Sequence, residues 1–174
     1  ILVNGAGITR DGTLRKMEAQ QWHDVLNINL DGVFNMCRHV VDAMCDRNFG
    51  RIVNISSVNG QTGQFGQTNY SAAKAGMHGF TMAMAREVAR KGVTVNSVSP
   101  GWTWSNIMNQ LTNGDRAKTD RVAAPFHLLR RVGDPAEVAQ VVLFLFQLEM
   151  DSQLQRALTY ERFDIAHVAR FAGG

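Results

Sequence analysis

Apolar residues along the chain follow two alternating patterns, short unbroken runs and longer stretches of helical spacing. Residues 1–4 (Ile-Leu-Val-Asn) are a short run stopped by Gly5-Ala6-Gly7, the pattern of a buried strand entering a tight turn. Residues 9–17 are polar, contain Gly12 and read as a loop. From 18 to 47, Trp22, Val25, Leu26, Val33, Phe34, Val40, Val41 and Met44 recur mostly at helical spacing. Thirty residues is long for one globular helix, and Asn27, Asn29 and Gly32 in its middle predict a bend. Asn48-Phe49-Gly50 closes it, with Gly50 expected in the C-cap region.

The pattern then repeats. Residues 51–57 are a β-like run, followed by a loop carrying Gly60, Gly63 and Gly66 and a helix over 69–90. Ala72, Ala73, Ala75, Gly76 and Gly79 leave that helix open to close approach by another backbone. Residues 93–98 form the next strand, ended by Ser99-Pro100-Gly101. Strand, long helix, strand, long helix, strand is the alternation of an α/β fold with a doubly wound parallel sheet. Right-handed crossovers would bring the strand ends Asn4, Ser57 and Pro100-Gly101 to one edge.

Residues 106–130 lack clear periodicity. Asp134, Pro135 and Glu137 then occupy the N-cap, N1 and N3 positions of a capping box, with the apolar body of a helix from Val138 to Phe146. Residues 147–174 are mixed polar and apolar without strand alternation, a divergent tail that reads as a continued helix or an unrelated ending. The whole is expected to be one domain over 1–174.

Composition narrows the function classes. A chain of 174 residues with 45% hydrophobic content suffices for one sizeable core. The net charge of +3 is mild and its basic residues are scattered, so nucleic-acid binding has no support. No apolar run approaches the length of a membrane span, and no secretory signal opens the sequence. Cys37 and Cys45 lie eight apart in one helix, roughly 12 Å along its axis, too far for a bridge. No metal-ligand cluster stands out, and a cytoplasmic setting is the expectation.

The candidate chemistry lies between Ser57 and Lys74. Ser57 ends a strand, Tyr70 follows thirteen residues later at the head of a helix, and Lys74 stands four positions beyond, one turn along the same face. A phenol beside an ammonium should have its pKa lowered toward working pH. A serine hydroxyl nearby can hydrogen-bond an oxygen as charge develops on it. These groups suit proton transfer at an alcohol or carbonyl oxygen during hydride transfer at its carbon.

The run Asn54-Ile-Ser-Ser-Val-Asn-Gly-Gln-Thr-Gly-Gln-Phe-Gly-Gln-Thr-Asn-Tyr-Ser-Ala-Ala-Lys-Ala-Gly76 resembles the active site of the short-chain dehydrogenase/reductase family, and the likeness extends from Ile1 to about Trp104. More narrowly it is similar to acetoacetyl-CoA reductases of bacterial polyhydroxyalkanoate synthesis. The resemblance implies an incomplete Rossmann-like fold and a catalytic tetrad of Asn29, Ser57, Tyr70 and Lys74, with Asn29 holding a relay water. Asn4, Gly5, Ala6 and Gly7, where glycine replaces the family's second asparagine, would lie against a nicotinamide cofactor with Tyr70 and Lys74. Pro100, Gly101, Thr103 and Ser105 would hold its carboxamide and pyrophosphate. Asp11, Lys16, Gln64, Phe65, Gln67 and Trp102 match substrate-lining positions, and 106–130 matches a mobile lid. Between Asp115 and Arg131, Arg116, Lys118, Arg121, Arg130 and Arg131 against Asp115 and Asp120 leave a balance of +3, able to meet coenzyme A phosphates.

The resemblance thus implies reduction of acetoacetyl-CoA to (R)-3-hydroxybutyryl-CoA, with NADP(H) in preference to NAD(H). Alternatives are a 3-oxoacyl-[acyl-carrier-protein] reductase and a non-catalytic homologue acting through protein contacts. It also implies a homo-oligomer, a dimer or tetramer, built through helices 18–47 and 69–90. The sequence begins on a strand without methionine and lacks the glycine-rich turn that cradles pyrophosphate in such enzymes. It therefore reads as an N-terminally truncated piece, expected to be inactive by itself.

Overall fold

The computed structural model describes residues 1–105, 108 and 112–147. Three strands, β1 (Leu2–Asn4), β2 (Gly50–Ile55) and β3 (Val93–Val98), form a parallel sheet in the order β1-β2-β3. Leu2 pairs with Ile52 and Asn4 with Asn54, while Gly50 pairs with Val93 and Ile55 with Val98. All three strands therefore finish at one edge of the sheet, as the alternation of elements predicts.

Helices cover both faces, which is why β2 is buried along most of its length. The central strand alternates its side chains between two cores. Ile52 joins Val33, Cys37 and Met44 of helix α2 (Gly32–Asp46) and Met77, Met84 and Val88 of helix α4 (Thr68–Val88). Val53 and Val98 point the other way and meet Val142 and Leu145 of helix α6 (Pro135–Gln147). β1 is an edge strand among the described residues, with Val3 45% exposed.

The bend expected between 18 and 47 is a change of helix type. Helix α1 (Ala19–Leu26) runs into a π turn at Asn27–Asp31, closed by the Gly32 N–H donating to the Asn27 carbonyl, before α2 continues. Gly50 is not a helix cap. The left-handed residue after α2 is Asn48, at φ 50°, and Gly50 opens β2. Glycine is required there because a Cβ would sit 2.7 Å from the Met44 sulfur. Both cysteines are free, as their separation implies.

Strand β2 ends at Ile55, two residues earlier than the run 51–57 suggests, and Ser56 and Ser57 enter a loop leading to the one-turn helix α3 (Asn59–Thr62). The aperiodic segment after residue 105 contains helix α5 (Arg116–Ala123), capped by the Asp115 side chain accepting from the Lys118 N–H, and a 3₁₀ turn at Ala124–Phe126. At the start of α6 the Asp134 carboxylate accepts from the Ala136 N–H at 3.0 Å and Glu137 accepts from the Asp134 N–H at 2.7 Å. The box is thus closed one residue earlier on the aspartate side than its spacing suggests. Glu137 also binds Arg131 through two hydrogen bonds, at 2.9 and 2.6 Å, which hold its carboxyl down at about 2. Among the described residues no helix is long and apolar enough to cross a membrane. The tail over 148–174 lies outside them.

A buried polar chain ties the sheet to α4. Asn4 donates to Asn54 at 2.8 Å, and Asn54 donates to the Thr81 hydroxyl at 2.9 Å, with Asn54 fully buried. Asn54→Ala takes a partner from Thr81 and leaves Asn4 only the Cys37 sulfur, and chemical denaturation should show a loss of about 2 kcal/mol. A variant as stable as the parent would mean that Asn4 and Thr81 find other partners.

Candidate functional site

The site is assembled where the three strands end. Ser56 N–H donates to the Val98 carbonyl at 2.7 Å and Val58 N–H to the Pro100 carbonyl at 3.1 Å, so the loops after β2 and β3 are stitched side by side. Ser57 is buried, and its Oγ accepts from the Asn59 N–H at 3.2 Å. The loop then turns through Gly63 and Gly66, both at positive φ (72° and 78°), and delivers Tyr70 in the first turn of α4.

Helix α4 is docked tightly at this point. A Cβ on Gly60 would lie 2.8 Å from the Lys74 carbonyl carbon, and Ser56 Oγ donates to the Lys74 carbonyl at 3.0 Å. Asn69, fully buried, donates to the carbonyls of Arg10 and Gln21 and accepts from the Tyr70 N–H at 2.8 Å. Sequence reasoning missed Asn59 and Asn69. An asparagine flanking the tyrosine was visible, but its burial is a tertiary property.

Ser57 and Tyr70 are brought together closely enough for the serine side chain to act on the phenol's pKa. The phenol nevertheless titrates above its ordinary value, opposite to the expectation from a neighbouring ammonium. Burial is the larger cause, the Ser57 side chain pulls the other way, and the Asp11 charge adds to the rise. Lys74 fails to reverse this because its ammonium donates to the Ile55 carbonyl at 2.8 Å and lies over the Tyr70 ring, 5.6 Å from the centroid. It meets the phenol's π face rather than its oxygen. Burial also lowers the Lys74 pKa to about 8.

Asn29 sits in the π turn, fully buried, and donates to the carbonyls of Val25 at 2.8 Å and Ile8 at 2.9 Å. Its Oδ1 has no protein partner. That oxygen looks toward Gly7, where a Cβ would lie 2.6 Å from Asn29 Oδ1 and 3.7 Å from Lys74 Nζ. The glycine thus keeps a side chain from pressing on the buried amide oxygen and lysine at the end of β1. Gly5, Ala6 and Gly7 are all exposed there, whereas the Asn4 side chain turns inward to Asn54 and the Cys37 sulfur. An exposed small-residue turn beside an unpartnered amide oxygen and an ammonium fits the ribose and nicotinamide end of a dinucleotide.

The loop after β3 pairs with Gly133 rather than standing free. Trp104 N–H donates to the Gly133 carbonyl and Gly133 N–H to the Trp102 carbonyl, both at 2.8 Å. Thr103 Oγ1 donates to the Gly101 carbonyl, and Ser105 Oγ accepts from the Met108 N–H. Among the substrate-lining candidates, Gln67 donates to Asp11 at 3.0 Å and accepts from Asn59, joining the loop after β2 to the loop after β1. Lys16, Gln64 and Phe65 are exposed, Phe65 at 88%, and Trp102 is half-buried against Phe126 and His127. Residues 106, 107 and 109–111 of the expected lid lie outside the described residues.

Residues 1–116 match the short chain dehydrogenase family. The chain is 57% identical over 145 residues to an acetoacetyl-CoA reductase of Allochromatium vinosum and 52% identical to one of Cupriavidus necator, covering 83% of this chain and 57% of each relative. It is also 48% identical over 146 residues to a 3-oxoacyl-[acyl-carrier-protein] reductase of Vibrio harveyi, covering 83% of this chain and 58% of that protein. The chain thus spans little more than half the length of the curated relatives it matches.

The lowered Lys74 pKa makes a prediction about stability. Its folded value of about 8 lies below that of an exposed lysine, so the unfolded chain binds the extra proton between pH 8 and about 10.5. This group therefore opposes folding most below pH 8, and stability rises with pH across that window. The stability of the parent minus that of Lys74→Met should climb by roughly 3 kcal/mol between pH 8 and 10.5. A flat difference curve from denaturation at several pH values would show that Lys74 is not strained by burial.

Proposed function

The chain belongs to the short-chain dehydrogenase family, and from that membership we propose that it forms the catalytic portion of an NADPH-dependent reductase converting acetoacetyl-CoA to (R)-3-hydroxybutyryl-CoA. The convergence of Ser57 and the Tyr70 phenol beside the Lys74 ammonium, which lies 5.6 Å from the Tyr70 ring centroid, carries this reading. Ser57 and Tyr70 are the pair of groups needed to bind a carbonyl oxygen and protonate it. The coenzyme A thioester and the choice of NADP(H) over NAD(H) rest on the likeness to acetoacetyl-CoA reductases.

Ser57 holds the carbonyl oxygen, and the Tyr70 phenol donates the proton as negative charge develops there. Burial and Asp11 keep that phenol protonated at neutral pH, so it waits as an acid. Lys74 supplies the positive charge that stabilises the phenolate once the proton has left. Asn29 Oδ1 and Lys74 Nζ both lie beside Gly7, and a water admitted between them would pass a proton back toward the lysine. Gly5, Ala6, Gly7, Pro100, Gly101, Thr103 and Ser105 would hold the nicotinamide cofactor, which supplies the hydride. Asp11 and Gln67 shape the substrate side, with Lys16, Gln64, Phe65 and Trp102 around it.

A specific similarity favours one second reading, reduction of a 3-oxoacyl-[acyl-carrier-protein], for which Asn29, Ser57, Tyr70 and Lys74 would serve equally. The two are separated by comparing kcat/KM for acetoacetyl-CoA and for the carrier-bound acetoacetyl group. A higher value for the carrier selects the second reading.

The chemistry is tested in the chain preceded by the N-terminal portion of an acetoacetyl-CoA reductase relative. Tyr70→Phe should abolish reduction while NADPH titration, followed by fluorescence, stays near the parent's. A variant retaining more than about a tenth of the parent rate, a loss under 1.4 kcal/mol, removes Tyr70 from the acid role.

Helices α2 and α4, with the π turn, leave Ile28, Phe34, Met36 and Met82 between 42% and 53% exposed. We propose that this apolar surface is covered in a homo-oligomer, as expected for helices 18–47 and 69–90. Light scattering on the same protein should give a dimer or tetramer at micromolar concentration, and a folded monomer would count against it.

A further inference from the structure

Three contacts converge on His127, a residue the mechanism does not use. The Trp102 backbone N–H donates to its Nε2 at 3.2 Å. The Trp102 indole stands edge-on to the imidazole, with centroids 6.5 Å apart at 72°, and is stacked on Phe126 at 6.0 Å and 18°. The imidazole also fills the space that a side chain at position 101 would need, since a Cβ there would collide with His127 Cε1. Gly101 is thus what admits the ring.

We infer that His127 is a positioning residue: as a neutral imidazole protonated on Nδ1, it docks residues 124–131 onto the loop after β3 and fixes the orientation of Trp102, so that substrate affinity depends on it. This rests on the reading of Trp102 as a wall of the substrate site. The tautomer follows from the bond, because a ring nitrogen that accepts from an N–H carries no proton. A proton on Nε2 would set two donors against each other and open the contact.

The surroundings oppose that proton. Burial lowers the His127 pKa. Arg121 and Arg130 line a cavity of about 530 Å³ together with His127, Phe126 and Leu128, and both carry positive charge. On α5, Asp120 is turned away, accepting from the Val132 N–H at 2.9 Å. Residues 100–105 contribute no ionisable side chain. The docked state should therefore persist at neutral pH and open only in acid.

The docking is tested without activity. In a Trp22→Phe, Trp104→Phe background, Trp102 emission should change with pH, with a midpoint below 6.5. His127→Gln keeps an acceptor near the Nε2 position and does not titrate, so it should abolish that transition. Emission independent of pH in the parent, or an unchanged transition in His127→Gln, overturns the inference. Nitrogen NMR of the histidine rings in the chain with all tryptophans present gives a second readout should the double substitution fail to fold. The signal lost in His127→Gln should be the Nδ1-protonated tautomer, and the opposite tautomer overturns the inference.

For affinity, His127→Phe in the chain preceded by the relative's N-terminal portion should raise KM for acetoacetyl-CoA about tenfold with little change in kcat. His127→Gln should stay near the parent at neutral pH. An unchanged KM in His127→Phe overturns the positioning role, whereas failure of the proposed chemistry would show separately in Tyr70→Phe.

Discussion

The buried ammonium of Lys74 is the constraint around which the rest of the site is arranged. A lysine at 4% exposure loses most of its hydration, and a charge so placed is costly without a fixed partner. The partner is the carbonyl of Ile55, the last residue of the central strand. The backbone of the same lysine is held by Ser56 and lies against Gly60. Both ends of one residue thus register helix α4 against the end of β2. Because Tyr70 lies one turn earlier on that helix, fixing Lys74 also fixes the phenol relative to Ser57.

Asparagines carry much of the remaining order. Asn54 links an edge strand to the far side of the core through Asn4 and Thr81. Asn69 draws the loop after β1 and helix α1 onto the start of α4 through two carbonyls. Asn29 uses its amide nitrogen on two carbonyls and keeps its oxygen beside Gly7. Each amide is fully buried, so misplacing any one leaves polar groups without water or partner. Such groups specify a single arrangement more sharply than apolar packing does.

The strands and long helices were legible because period and length suffice to identify them, and parallel order follows from their alternation. Ser57, Tyr70 and Lys74 were legible for a similar reason, since strand end and helix turn fix their mutual placement. The direction of the Tyr70 pKa was not. It depends on burial, on Asp11 arriving from a distant loop, and on the lysine tip choosing a carbonyl over the phenol oxygen. Gly50 looked like a cap because glycine commonly ends helices, and only the Met44 side chain shows that it makes room instead. Helix α5 escaped notice because only Thr119 and Ala123 are buried in it, too few to set a period. His127 carried no local signal, since its partners Gly101 and Trp102 lie 25 or more residues away.

The π turn at Asn27–Asp31 has a consequence for how this protein tolerates change in length. A π turn holds one residue more than the α-helix it interrupts. Deleting a single residue there would let the helix close into regular α form while the flanking helices α1 and α2 kept their own faces against the core. Asn29, or whichever residue replaced it, would then no longer be the surplus one turned inward toward Gly7 and Lys74. A deletion in the middle of α2 would instead rotate every later position by about 100° and expose the core face. The π turn is therefore the place in this long helix where fold and chemistry can be lost separately. A descendant shortened by one residue there would keep its sheet and helices and lose the amide oxygen beside Gly7 and Lys74, and with it the proposed relay.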